Sequence, residues 1–418
     1  MLKLLSNPSQ IITVDTNKKN VKRANELKEL SVLTNHSILI ENNIIKDFIP
    51  EASVSKINPD VIIDLAGKIV LPGIIECHTH TAFAGSRAKE FRQRLAGVHY
   101  EEIAKAGGGI NTTVSAVRQS SFEELIDIIK PRIENFISQG ITTLEIKSGY
   151  GLDLENELKL LKAINYLNEY YPIDIIPTFL GAHTFPLEFK DDHQGYVDLI
   201  IEKMLPKVAE KKYAVFCDGF CESTAFSENE IDHIFTAANK LGLKLKLHTE
   251  QFNSIGGIDI ALKHNATSID HLEVLNDSDI SKVCNSDTVA VLLPGVSFFL
   301  NYGYAPARKL IDGGAIVTLA TDYNPGSSYI SNIAFIMSLA ALKMNMTIEE
   351  TISAVTINSA KALELQSDRG SLEIGKKADF AIFNTNEYSD IVYNVGKNLN
   401  CMTIKNGEII FEFNGGKN

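Results

Sequence analysis

The sequence predicts an α/β fold, a (β/α)8 TIM-type barrel with a small β-sandwich domain formed from both chain termini. Two observations support this prediction. In the middle of the chain, strand-like apolar runs alternate with helical patterns, whereas the two chain ends have the pattern of short strands and turns. The middle has eight such runs, at residues 73–80, 141–147, 173–180, 214–218, 243–248, 267–271, 288–293 and 315–321. Eight parallel strands are the number that closes a barrel of this class.

The chain ends predict hairpins. Asn42 and Asn43 separate two apolar strands near the start, and Asn406-Gly407 separates two more near the end, where Asn-Gly is a strong type I′ turn signal. We therefore expect residues 1–68 and 367–418 to build one small β domain. The barrel is expected to occupy residues 69–366.

The segments between the strand-like runs carry helix start and stop signals. In one of them Ser121 is the predicted N-cap, Glu124 completes a capping box, and Gly140 ends the helix. Residues 227–242 repeat this pattern. A doubly wound sheet is the competing interpretation, but it usually has fewer strands and a GxGxxG fingerprint, which does not occur after Ile75. The pattern therefore favours the barrel.

A long insertion, residues 84–119, interrupts the alternation after the first barrel strand. Loops that follow barrel strands lie at the catalytic face of such folds. Long loops are more often functional than mere connections. We therefore expect this insertion to form a lid or one wall of a binding site.

Composition narrows the classes of function. A net charge of −12 and a pI of 5.4 argue against nucleic-acid binding, which needs a basic surface. The first ten residues have no signal-peptide pattern, and no run of about 18 apolar residues predicts a membrane span. The five cysteines are odd in number and scattered, which suits a reducing compartment. We therefore expect a soluble cytoplasmic protein with no nucleic-acid or membrane partner.

Polar side chains lie at the ends of four predicted barrel strands, the positions that carry chemistry in such folds. His78 and His80 end the first strand, His248 the fifth and His271 the sixth, and Asp322 follows the eighth. Residues two apart on a strand share a face, so the first two histidines aim at one point. Each residue alone has a structural explanation, as a hydrogen-bonded core histidine or a helix N-cap. Five of them in barrel register predict a metal site instead.

The residue types suit a divalent metal. Neutral imidazole is a good ligand for zinc, iron(II) and nickel, and a carboxylate completes a site of intermediate hardness. Three histidines and one aspartate leave one coordination position for water, whose pKa a bound cation lowers towards about 7. We therefore expect a divalent metal, zinc or iron, and a reaction that uses activated water.

The motifs "PGIIECHTH", "EIKSGYGL", "FLGAHTFP", "AVLLPG" and "ATDYNPGSS" resemble the amidohydrolase superfamily and, within it, the imidazolonepropionase family. The matching blocks cover most of the predicted barrel. The resemblance implies hydrolysis of 4-imidazolone-5-propanoate to N-formimidoyl-L-glutamate in histidine degradation, by a homodimer. Some superfamily members bridge two metals with a modified lysine on strand four. That strand has no lysine here, and Lys147 on strand two is out of register, so we expect one metal ion.

The resemblance also implies roles for single residues. The metal ligands are His78, His80, His248 and Asp322. Asp322 is also the catalytic proton shuttle, and His271 hydrogen-bonds the attacking water or the developing oxyanion. The substrate-binding residues are Arg87, Tyr100, Tyr150, His183, Gln251, Asn324, Gly326 and Ser327.

Alternatives stay open for residues and function alike. By the resemblance, Arg87 is expected to bind the propanoate carboxylate, to which a guanidinium offers a bidentate fit, whereas the sequence alone favours a surface salt bridge with Glu90. His183 would contact the substrate ring or be a structural loop residue. Gln251 cannot act as a base, which leaves Asp322 for that task. The other functions are a related cyclic amidase or nucleobase deaminase, and a metal-free structural homologue.

Overall fold

The computed structural model describes residues 1–97 and 108–413. In chain order its strands are β1 Leu2–Ser6, β2 Gln10–Ile12, β3 Val32–Leu33, β4 His36–Glu41, β5 Ile44–Pro50, β6 Val61–Asp64, β7 Ile69–Pro72, β8 Ile74–Glu76, β9 Ile141–Lys147, β10 Asp174–Ala182, β11 Phe216–Cys221, β12 Lys244–Thr249, β13 Ser268–His271, β14 Val289–Leu292, β15 Ile316–Leu319, β16 Phe380–Phe383, β17 Asn400–Lys405 and β18 Glu408–Glu412.

Helices connect most of these strands. The α-helices are Ala88–Leu95, Ile110–Gln119, Phe122–Ile137, Leu154–Tyr170, His193–Leu199, Leu205–Lys211, Glu228–Lys240, Gly257–Lys263, Asp277–Cys284, Pro294–Leu300, Ala307–Asp312, Ile333–Met344, Ile348–Ser353, Ser359–Ala362 and Asp390–Tyr393. The 3-10 helices are Ala24–Lys28, Glu51–Lys56 and Leu187–Phe189, and π-helical turns occupy Ile200–Met204 and Ala354–Asn358. Within the described residues no helix is long and apolar enough to cross a membrane.

The predicted barrel is confirmed. Strands β8 to β15 form one eight-stranded sheet in sequence order, and every neighbouring pair is parallel. The ends of this sheet meet just after β8 and β15, where Thr79 and Tyr323 form a parallel bridge. The Asp322 N–H donates to the His78 carbonyl at 3.1 Å, and the His80 N–H donates to the Tyr323 carbonyl at 3.0 Å. Predicted metal ligands therefore carry the hydrogen bonds that close the barrel.

The chain ends form two further sheets, one built from N-terminal strands alone and one that combines strands of both ends. The four-stranded sheet has the order β5-β4-β1-β6, and the six-stranded sheet has the order β18-β17-β16-β7-β2-β3. A shared apolar cluster joins their faces, with Leu5 and Ile38 from the first sheet and Val70, Phe380 and Ile404 from the second. This packing confirms the small β-sandwich.

Local signals in the sequence fix several element ends. Ser121 accepts the backbone N–H of Glu124, whose side chain accepts the N–H of Ser121, so the predicted capping box begins the helix Phe122–Ile137. Gly140 has a φ of 88°, a left-handed conformation that glycine adopts without strain, and it separates this helix from β9. The turn before β18 has left-handed φ at both Asn406 and Gly407, as a type I′ turn requires.

Candidate metal centre

Five buried polar side chains meet at the mouth of the barrel. They are His78, His80, His248, His271 and Asp322, and each is at most 3% exposed. The Oδ1 atom of Asp322 lies 3.3 Å from His78 Nε2 and 3.2 Å from His80 Nε2. The Nε2 atoms of His80 and His248 lie 3.3 Å apart. The strand-end register therefore brings together all five residues that the sequence predicted to share a site.

The donor atoms fit a cation. Ligand atoms of His78, His80 and Asp322 lie within 4.8 Å of one another, and so do those of His78, His248 and His271. His78 Nε2 and Asp322 Oδ1 are buried and have no hydrogen-bond partner among the residues that the structure describes. Buried polar atoms are nearly always hydrogen-bonded, so a convergent pair of unsatisfied donor atoms suits a metal ion. Imidazole nitrogens with a carboxylate oxygen form a donor set that zinc and iron(II) accept.

Two carboxylates orient the histidine rings from below. Asp270 contacts His78 Nδ1 at 2.6 Å, and Asp218 contacts His248 Nδ1 at 3.0 Å. In each pair the carboxylate binds Nδ1 and leaves Nε2 directed at the centre, as in carboxylate–histidine–metal arrangements. Burial alone would raise the pKa of Asp270, but the charges of Lys246 and His78 outweigh burial and hold it below its usual value.

A fully buried lysine links these elements. Lys147 Nζ donates to Glu145 Oε1 at 2.7 Å and to Asp218 Oδ2 at 2.8 Å. Glu145 in turn accepts the backbone N–H of Thr79, between the first two histidines, at 3.0 Å. Burial opposes the charged form of Lys147, yet Asp218 and Glu145 raise its pKa above the usual value. Lys147 therefore holds two carboxylates under the centre, inside the barrel.

Glu76 connects the first and last barrel strands. Its carboxyl group accepts the backbone N–H of His78 and the backbone N–H of Thr321, each at 3.1 Å. Burial raises the pKa of Glu76 to about 8. Burial therefore opposes the charged form of this carboxyl group, and the two backbone N–H groups favour it.

His271 reaches the centre through an unusual backbone. Asp270 already points inward, towards His78, and successive residues on a regular strand face opposite sides. His271 nevertheless lies beside His78 and His248, with ring centroids 6.1 Å and 5.4 Å away. Its φ of 90° is left-handed, which side chains with a Cβ rarely adopt. This backbone strain turns the ring into the site, and strain of this kind clusters at functional sites.

The insertion after β8 contributes Arg87. Its Nε donates to Glu90 Oε2 at 2.8 Å, so the salt bridge considered as the alternative is present. The guanidinium also reaches the loop after Asp322, because a Cβ added to Gly326 would lie 2.2 Å from Arg87 Nη1. Arg87 and Glu90 are only 14% and 13% exposed, so the pair is not a surface pair. The predicted position of Arg87 near the site is therefore compatible with its contact to Glu90.

Two rings line the opposite side. His183 stacks on His80 with ring centroids 5.1 Å apart, and Tyr150 contacts the same two rings. His183 Nδ1 lies 2.8 Å from the Gly149 carbonyl and donates to it, which leaves Nε2 unprotonated. Burial and the neighbouring His80 lower the pKa of His183 to about 3, so the ring is neutral. Tyr150 and His183 thus lie where a ring-shaped substrate next to the metal ligands would contact them.

The structure places the remaining predicted substrate-binding residues in different surroundings. Gln251 is buried and donates to the Tyr302 hydroxyl at 3.3 Å. Asn324 donates to Asp322 Oδ2 at 2.9 Å and accepts the N–H groups of Gly326 and Ser327, each at 2.8 Å. Asn324 therefore orients Asp322 and shapes its loop. Tyr100 lies outside the described residues.

Several residues of the site were not singled out in the sequence. They are Glu76, Glu145, Asp218, Lys246, Asp270 and Glu273. A signal was available for two of them, because charged residues two positions before a histidine on a strand share its face. Lys246 precedes His248 in this way, and Glu76 precedes His78. Asp218 stands alone on its strand, and only the fold shows its partners.

Comparison with known proteins defines the class. Residues 69–410 match the model of the amidohydrolase family. A variant of the atrazine chlorohydrolase of Arthrobacter aurescens TC1, complexed with zinc and atraton, shares the fold, with a TM-score of 0.72 at 17% identity over 98% of this chain and 95% of that one. The chain belongs to the amidohydrolase family. Family membership and the donor set together indicate a divalent metal.

Comparison with relatives inside this family narrows the similarity to one kind of enzyme. The imidazolonepropionase of Flavobacterium johnsoniae is 43% identical over 98% of this chain and 100% of its own length. The imidazolonepropionase of Alkaliphilus metalliredigens is 41% identical over 98% of both chains. The similarity therefore extends over both the barrel and the terminal sheets, as the resemblance of the motifs predicted.

Replacing Lys147 with methionine should destabilise the protein strongly. Methionine fills a similar space but leaves Asp218 and Glu145 buried without their cation, and breaking a buried ion pair costs about 3–5 kcal/mol. We expect that loss in the unfolding free energy measured by chemical denaturation. Lys207→Met is the control, because Lys207 pairs with Glu210 at the surface and should matter little. Equal stability of the two variants would contradict this account of the barrel floor.

Proposed function

We propose that this protein hydrolyses the ring amide of 4-imidazolone-5-propanoate to N-formimidoyl-L-glutamate, a step of histidine degradation. The observation that carries the proposal is the proximity of the Arg87 guanidinium to Gly326, in the loop that follows Asp322. A substrate with a reactive ring and a carboxylate two methylenes away needs both groups. The full-length similarity to imidazolonepropionases supports this choice of substrate.

The metal in this proposal is a single zinc or iron(II) ion, held by His78, His80, His248 and Asp322. The convergent donor atoms support a single cation, and the buried carboxylates of Asp270 and Asp218 orient two of the ligand rings, His78 and His248. When bound, the metal would activate water and polarise the substrate carbonyl.

Asp322 moves the proton. The water oxygen forms a bond to the ring carbonyl carbon, the bond from that carbon to the ring nitrogen breaks, and Asp322 carries the water proton to the leaving nitrogen. Gln251 cannot do so, because an amide does not titrate. Besides burial, the groups that act on the carboxylate of Glu250 are Ser254, Asp279, Glu222 and Lys282, and none of them is a proposed metal ligand. Asn324 keeps Asp322 oriented for the transfer.

The other residues bind the substrate and orient the attacking water. In this proposal His271 hydrogen-bonds the attacking water or the developing oxyanion. Arg87 binds the carboxylate, assisted by Tyr100 and Tyr150. The ring lies against His183 and Gln251, and the loop of Asn324, Gly326 and Ser327 holds the side on which product forms. We also propose that the protein is a homodimer, because the resemblance implies one, and that it is cytoplasmic, because its composition suits that compartment.

Turnover of the imidazolone should depend on one metal ion per chain. We expect metal analysis of the purified protein to give about one zinc or iron per chain, because the site has one set of donors. Chelation should abolish turnover and added metal should restore it. His78→Ala and His248→Ala should lose both metal and activity while circular dichroism stays unchanged.

Three results would contradict the proposal. Two tightly bound ions per chain would refute the mononuclear site, and a fully active His78→Ala variant would refute the ligand set. Ammonia release from a nucleobase, without turnover of the imidazolone, would identify a deaminase instead.

Arg87→Ala should impair substrate binding and leave the metal in place. Loss of a partly desolvated charge pair should cost about 2–4 kcal/mol in kcat/KM, mostly through a higher KM. Arg92→Ala, on the exposed face of the same helix, is the control and should keep the wild-type KM. A substrate analogue without the carboxylate should serve Arg87→Ala and the wild type equally poorly. A wild-type KM in Arg87→Ala would leave Arg87 as a structural partner of Glu90.

Asp322→Asn and Gln251→Ala should separate chemistry from binding. Asparagine can still offer an oxygen to the metal but cannot accept a proton, so Asp322→Asn should abolish kcat. Gln251→Ala should raise KM and keep most of kcat. His271→Asn should fall between them, with kcat lowered about 10²–10³-fold. Near-normal kcat in a metal-loaded Asp322→Asn variant, measured under single-turnover conditions, would exclude Asp322 as the proton shuttle.

A further inference from the structure

We propose that Glu273 is a positioning residue, which fixes the His271 ring so that its Nε2 atom accepts a hydrogen bond from the attacking water. The proposal rests on the proposed function and narrows it. It selects orientation of water, and not donation to the oxyanion, as the task of His271.

Glu273 and His271 form a buried contact between two otherwise unsatisfied groups. Glu273 Oε1 lies 3.5 Å from His271 Nδ1, and the two side chains are 2% and 3% exposed. Neither Nδ1 of His271 nor either oxygen of Glu273 has another hydrogen-bond partner among the described residues. Buried polar atoms normally find partners, and these two groups have only each other. An N–H at Nδ1 donating to Glu273 is the arrangement that satisfies both.

An unusual backbone between His271 and Glu273 brings the two side chains together. Residues two apart on a regular strand are separated by about 6.6 Å of rise. Here His271 and Leu272 have left-handed φ angles of 90° and 74°, so the chain bends sharply between the paired residues. Two consecutive non-glycine residues in this region are unusual. The bend that turns His271 into the site also returns Glu273 to its Nδ1 atom.

The consequence concerns the protonation of the ring. A neutral imidazole carries one N–H, so an N–H at Nδ1 leaves Nε2 with a lone pair. The two nitrogens lie on different sides of the ring, and the one that faces Glu273 cannot also face the substrate. Nε2 is therefore an acceptor for a water proton. The pairs of His78 with Asp270 and of His248 with Asp218 follow the same rule, with the carboxylate at Nδ1.

Glu250 provides a matched control. It too is buried at the end of a barrel strand, has a left-handed φ of 57°, and has two carboxylate oxygens without a hydrogen-bond partner in the described chain. Its neighbours are Glu222, Asp279 and Lys282, and not a histidine of the centre. A general effect of removing a buried carboxylate should therefore appear in variants of Glu250 and of Glu273 alike. An effect on His271 should appear only in variants of Glu273.

Kinetics of metal-loaded variants test the proposal. We expect Glu273→Leu to lower kcat about 10–100-fold, the range of second-shell changes at metal sites, with KM and metal content unchanged. Glu273→Gln should recover most of kcat, because its amide oxygen still accepts the Nδ1 proton. Glu250→Leu should keep kcat per folded, metal-loaded chain. Loss of metal in Glu273→Leu would overturn the proposal by making His271 a ligand, and so would wild-type kcat in that variant.

A second measurement does not depend on the substrate. In zinc-loaded protein with ¹⁵N-labelled histidine rings, NMR should show His271 protonated at Nδ1, with the signal assigned through His271→Asn. Glu273→Gln should keep this tautomer and Glu273→Leu should lose it. A proton at Nε2 in the wild type, or no change in Glu273→Leu, would refute the role of Glu273. If the wild type does not turn over the imidazolone, the proposed function fails, but the NMR measurement still tests whether Glu273 fixes the tautomer of His271.

Discussion

The contact of Lys147 with Asp218 and Glu145 is the interaction on which the metal centre depends. All three side chains are buried in the barrel, where an unpaired charge would be very costly. Through Asp218 the lysine orients His248, and through Glu145 it fixes the backbone of Thr79 between the first two histidines. One ammonium group thus helps to determine where donors from two strands point.

Closing the barrel and assembling the site are one structural event. The first and last strands meet through backbone hydrogen bonds at His78, His80 and Asp322, and Glu76 ties them together just below. In most barrels of this class the catalytic loops vary over a constant scaffold. Here the ligand-bearing residues are part of the closure, so a chain that loses this alignment loses the centre and the closed barrel together.

Much of the fold and the centre could be predicted from the sequence, because strand ends have a fixed register. A histidine at the end of a strand must lie at the barrel mouth, wherever its partners are in the chain. The charges below were not predicted, since a lysine within an apolar run does not reveal which carboxylate it meets. The inward turn of His271 depends on a left-handed backbone with no glycine to signal it. For Arg87, pattern alone could not decide between Glu90 and a substrate, and the structure shows Glu90 in contact and a site nearby.

The pairing of Arg87 with Glu90 also bears on turnover. An arginine that already holds a carboxylate does not gain a full ion pair when a second carboxylate arrives, because it exchanges one partner for another. The net affinity is then lower than that of a guanidinium without a carboxylate partner, by the free energy of the contact with Glu90. In the proposed reaction the product keeps the side-chain carboxylate of the substrate, so a clamp without a competitor would hold both equally tightly. Glu90 can bind the guanidinium again, and this competition favours release of the product after each turnover.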